Sequence, residues 1–124
     1  MGFQTLFYRD ERGREPVREL LQSLPIKTRA KIGSWIAHLE NEGPFLRRPY
    51  ADKLTGKLYE LRIRFSTDHI RILYYFFLKD KIILLHAFRK KDWAIDRRDL
   101  EMAERRMNEF TRRYEEGELD FEKA

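Results

Sequence analysis

From Leu58 the hydrophobic period changes from that of helices to that of strands, and that change constrains the fold more than any other feature. From Leu58 to Lys91 apolar residues recur at strand spacing, and turn signals at Ser66-Thr67-Asp68 and Lys79-Asp80 divide the stretch into three runs. The spacing predicts a three-stranded antiparallel meander. In the first run Tyr59, Leu61, Ile63 and Phe65 point one way while Glu60, Arg62 and Arg64 point the other, because successive strand side chains alternate. One face is core and the other is cationic. The second and third runs, Ile70 to Leu78 and Lys81 to Phe88, are apolar on both faces, which puts them at the sheet centre or under helices. Arg71 and His86 are their polar exceptions.

Upstream the period is helical. Phe3 to Tyr8 is a short β-prone run closed by the charged stretch from Arg9 to Arg14. Pro16 then suits a first helical turn, and Val17, Leu20, Leu21 and Leu24 form one apolar stripe. Pro25 ends that helix and opens the next, where Ile32, Trp35, Ile36 and Leu39 repeat the stripe until Gly43-Pro44 stops it. The segment from Phe45 to Gly56 has no sustained period and carries Pro49, so it is expected to be a loop crossing to the meander. After the meander, Asp96 and Asp99 fit the start of a last helix striped by Leu100, Ala103, Met107, Phe110 and Tyr114. The order is strand, two-helix hairpin, three-stranded antiparallel meander and C-terminal helix. It lacks regular βα alternation, so the class is α+β. One domain over residues 1–116 with a frayed acidic tail over 117–124 is expected.

Composition narrows the chemistry. With 42% hydrophobic and 14% aromatic residues in 124, the chain can bury a core. The sequence contains no cysteine, which excludes disulfides and thiolate metal sites and suits a reducing compartment. Charged residues follow the short apolar start at once, and no stretch is long enough to span a bilayer, so the expectation is a cytoplasmic protein. A formal net charge of +5 favours a polyanionic partner.

There is no phosphate-binding glycine loop, His/Cys ligand set or nucleophile elbow. What remains is a set of cations: Arg62 and Arg64 on one strand, Arg71 on the next, and Arg89, Lys90 and Lys91 where the last ends. Neighbouring strands lie about 5 Å apart, so these can converge on one sheet face and hold a phosphodiester. Such a face suits RNA cleavage without a metal or cofactor, by attack of the 2′-OH on the adjacent phosphate. Arginine is too basic to accept the proton near neutral pH, which leaves His86 as the natural base. The plainer readings are a half-buried, satisfied histidine and an Arg71 paired with a carboxylate such as Glu60. Trp93, beside these cations, reads either as a platform for an RNA base or as core.

The runs LYELRIRF from Leu58, IRILYYF from Ile70, ILLHAFRKK from Ile83 and LEMAERRM from Leu100, with the paired helices around Leu24-Pro25, resemble the HigB-like, phage-related branch of the RelE/ParE toxin superfamily. The resemblance covers nearly the whole chain. It implies the toxin of a type II toxin-antitoxin system, a metal-independent endoribonuclease that enters the ribosomal A site, cuts mRNA and is silenced by a helix-turn-helix antitoxin. By position, Arg62, Arg64, Arg71, Lys90 and Lys91 match the family's basic residues. Arginines stand where the family's strand carries lysines, and Asp92-Trp-Ala-Ile-Asp replaces a Thr- and Pro-containing stretch. Two alternatives stay open: a ParE-like toxin that binds DNA gyrase, and a non-catalytic RNA-binding phage remnant.

Overall fold

The computed structural model describes residues 2–90 and 95–119. Strand β1 (Gln4–Phe7) leads into α1 (Pro16–Gln22) and α2 (Ile26–Glu42), then β2 (Ala51–Thr55), β3 (Leu58–Phe65), β4 (Asp68–Phe77), β5 (Lys81–Arg89) and α3 (Arg97–Glu115). The strands form one sheet in the order β1-β5-β4-β3-β2. β1 runs parallel to β5, and every other pairing is antiparallel. The two runs that are apolar on both faces are β4 and β5, inner strands near the sheet centre, as their pattern predicts.

One expectation is corrected. Part of the segment read as a crossing loop is β2, which pairs with β3 around a turn at Gly56, so the meander has four strands rather than three. Its alternation is broken by a register shift between Lys53 and Thr55, and a strand this short and irregular leaves little periodic signal.

Each sheet face has its own core. Helices α1 and α2 cover one, where Leu61, Ile63, Ile70, Ile72, Ile82 and Leu84 pack with Val17, Ile32 and Leu39. Helix α3 covers the other, laying Ala103 and Phe110 on Leu73, Tyr75, Ile83 and Leu85. Gly43 ends α2 with φ 55°, and a side chain there would collide with the Phe3 ring. Asp96 caps α3 by accepting from the Arg98 backbone N–H. The Tyr8 hydroxyl donates to Glu109 Oε2 at 2.9 Å, tying the end of β1 to α3.

A bulge in β5 decides which side chains reach the α3 face. Leu73 pairs with His86 but Tyr74 with Leu84, so Leu85 is the extra residue. Leu85 and His86 consequently both face α3, although they are adjacent. Arg106 of α3 donates to the Leu85 carbonyl at 2.9 Å.

Candidate functional site

Strand register assembles the site on the α3 face. Arg62 of β3 lies opposite Arg71 of β4, which lies opposite Phe88 of β5. One step toward the sheet end, Arg64 lies opposite His69, whose carbonyl accepts from the Lys90 backbone N–H. One step inward, Glu60, Leu73 and His86 form the next row, already beneath α3. Directly opposed side chains on paired strands start about 5 Å apart. Four cations and two imidazoles are therefore gathered on β3, β4 and the end of β5.

β2 stops short of this end. Its last register pair with β3 is Ala51 with Leu61, followed by the Arg62 N–H donating to the Tyr50 carbonyl at 2.7 Å. Beyond that point β3 has no neighbour on this side, and a cavity of about 570 Å³ opens there. Arg62, Arg64, Arg71, His69 and Lys90 line it from the strands. Lys31 and Trp35 of α2, with Pro49 and Tyr50 before β2, line the rest.

The arginines are held by a buried carboxylate. Glu60 is 1% exposed, and its Oε1 accepts from Arg62 Nε at 2.6 Å and from Arg71 Nη1 at 3.0 Å. Arg62 also reaches Asp52 at 3.4 Å. Burial is the main influence lowering the Arg71 guanidinium below its usual value; Glu60 opposes it, while Arg62 and Arg64 add to it. The guanidinium stays a cation near neutral pH. A buried charge requires a partner, and Glu60 prevents Arg62 and Arg71 from repelling each other apart. Arg64 is exposed and has no carboxylate partner among the described residues. It is thus a cation available to a ligand.

Four of the residues expected from the sequence, Arg62, Arg64, Arg71 and Lys90, meet at the cavity. Arg89 pairs with Ile70 and so lies on the opposite face. Lys91 and Trp93 lie outside the described residues. His86 shares the face with the arginines but does not line the cavity. Its Nε2 is 2.7 Å from Asp99 Oδ1 and its Nδ1 is 3.3 Å from Arg106 Nη1. With the proton on Nε2 the neutral ring donates to Asp99 and accepts from Arg106. Burial lowers the imidazole below its usual value, Asp99 opposes that shift and Arg106 reinforces it.

The sequence reading missed His69, Lys31 and Tyr50. Strand alternation from Arg71 reaches His69 once β4 is known to begin at Asp68. For Lys31 and Tyr50 there was no signal, since only the tertiary fold brings them to β3.

Among the described residues, no three His, Asp or Glu side chains form a metal-binding group, and no helix is long and apolar enough to cross a membrane. The family model for the phage-derived protein Gp49-like family (DUF891) matches residues 19–108. The chain belongs to that family. Gp49-like proteins fall within the RelE/HigB-type toxin superfamily, so an antitoxin is the implied partner. No curated protein matches the chain. The residues matched run from α1 into α3 and include every cavity-lining position, so the site lies inside the family's own region.

Proposed function

We propose that this Gp49-like chain is the toxin of a type II toxin-antitoxin pair and acts in the cytoplasm as a ribosome-dependent mRNA endonuclease of the HigB-like kind. The observation that carries this reading is the convergence of Arg62, Arg64, Arg71 and Lys90 with His69 on one cavity. Arginine forks match the two non-bridging oxygens of a phosphodiester, and prepositioned cations stabilise charge that develops on them. The 2′-oxygen attacks the adjacent phosphorus, the P–O5′ bond breaks, and the products are a 2′,3′-cyclic phosphate and a 5′-hydroxyl. The 2′-OH proton passes to a base, and a proton is delivered to the departing 5′-oxygen. No metal is required for any of these steps.

His69 is the base we favour, because it lines the cavity in the same row as Arg64. His86 is the second reading, favoured by the burial that keeps it unprotonated. In that role its unprotonated Nδ1 has to release Arg106 while Nε2 stays on Asp99. Lys90 would meet the RNA backbone, and Lys91 and Trp93, which follow it in sequence, would extend that contact to the backbone and a base, whereas Arg89 faces away from the cavity and has no part in it.

Expression without antitoxin should arrest growth and leave mRNA fragments ending in 2′,3′-cyclic phosphate, and purified cleavage should survive chelation when ribosomal magnesium is kept constant. A 3′-hydroxyl end would refute 2′-OH attack. Arg71→Ala should abolish arrest, because losing one prepositioned charge in such sites costs about 2–4 kcal/mol of transition-state stabilisation. Since that change also strips Glu60 of a partner, Glu60→Gln with Arg71→Met serves as the folded control: it should keep the melting temperature and still lose activity. Single-turnover rates from pH 5.5 to 9 separate the imidazoles, since the alkaline rise in rate should vanish in only one of His69→Gln and His86→Gln.

A further inference from the structure

The cavity has a second wall that the phosphate chemistry does not use. Trp35 of α2 and Tyr50 stack with ring centroids 4.6 Å apart and planes 28° from parallel. Trp35 is packed against the core beneath α2, and His38 meets it edge-on at 5.4 Å, so it is a fixed support. Tyr50 is different. It remains 44% exposed although Trp35 covers one face of its ring, which leaves the outer face open toward solvent. Its backbone is pinned as well, since its carbonyl accepts from the Arg62 N–H at 2.7 Å and its N–H donates to the Arg47 carbonyl at 3.0 Å.

We propose that Tyr50, backed by Trp35, is a stacking platform for one unstacked base of a single-stranded RNA whose phosphates lie on Arg62 and Arg64. This deepens the RNA reading of the site and rests on it. Three observations favour RNA over other occupants. The cavity is lined by cations from two parts of the fold, Lys31 of α2, the helix that carries Trp35, and the arginines of β3 and β4. Its volume falls in the range of sites that enclose small ligands. An open aromatic face next to a phosphate-binding wall is the arrangement by which single-stranded nucleic acids are held, with bases stacked on rings and the backbone tracked by charge. The subsite is sequence-tolerant, because every base has a π-face.

The two tryptophans of the chain are Trp35 and Trp93, so the part of the emission change that Trp35→Phe removes is the part that Trp35 reports. Titrating this protein with a five-nucleotide single-stranded RNA, and with an abasic strand carrying the same phosphates, reads the stacking directly. The RNA should bind about ten-fold or more tightly than the abasic strand and should change Trp35 emission. Tyr50→Phe should keep that preference and Tyr50→Ala should lose it, with both variants retaining the wild-type circular dichroism spectrum. Equal affinity for the two strands, or an undiminished preference in Tyr50→Ala, overturns the proposal. So does equal displacement of the RNA by an acidic peptide, which would mean that only charge is read. The outcome is separable from the cleavage reading: a base preference without ribosomal mRNA cleavage sinks the nuclease and leaves the subsite. Cleavage without a base preference does the reverse.

Discussion

Arg64 and Arg71 are both arginines on one sheet face, yet their surroundings give them different consequences. Arg71 is folded into a buried ion pair with Glu60, whereas Arg64 projects past the end of β2 without a carboxylate among the described residues. Arg64→Ala should therefore leave stability within about 0.5 kcal/mol. It should also weaken RNA binding and reduce the slope of log affinity against log salt by about one. Melting curves and oligonucleotide titrations at several salt concentrations check both halves. His86 makes the opposite kind of prediction. Burial holds its imidazole below the usual value near 6.5, so the unfolded chain takes up this proton at a higher pH than the folded one. The stabilisation from His86 is complete above about pH 6.5 and is lost as pH falls from there toward the lower folded value. Between pH 7.5 and 5 the melting temperature of the wild type should fall more steeply than that of His86→Gln. Parallel slopes would mean that His86 titrates alike in both states.

Element boundaries decided what the sequence revealed. Alternation in β3 correctly placed Glu60, Arg62 and Arg64 opposite the core, because that strand is regular from Leu58 to Phe65. In β5 alternation fails, since the bulge at Leu85 turns two consecutive side chains to the same face. Counting by twos from Ile83 puts His86 and Lys90 on the α2 side, where they could not join Arg71. A bulge of this kind has no reliable signature within its own strand, as the carbonyl it frees is taken up by Arg106, twenty-one residues on. Strand β2 was hidden for the related reason that its pairing, rather than its composition, defines it. The start of α3, by contrast, was legible: Asp96 is an N-cap residue by type and by geometry. Asp96→Ala should cost about 1 kcal/mol, seen as a lower denaturation midpoint with an unchanged slope against denaturant. It should also loosen the hold of Asp99, in the first turn of α3, on His86.

At the scale of the whole molecule, the sheet is closed by its least local pairing. Gln4 pairs with Lys81, and β5 sits between β1 and β4, so β5 lacks a neighbour on one side whenever β1 is absent. Deleting residues 2–8 should expose that apolar edge and convert a monodisperse protein into aggregates on size exclusion, because an unpaired edge recruits other chains. A deletion variant that stayed soluble and folded would show that α1 suffices to protect β5. The same strand order has a temporal meaning. β1 is translated before the other described strands, but the strand that joins it to the arginine-bearing hairpin is the last of them to be translated. Lys90 closes the cationic row only after that strand is complete. A nascent copy that ends before β5 holds the arginines without the strand that aligns them, so the cationic row forms only after Lys90 has been added.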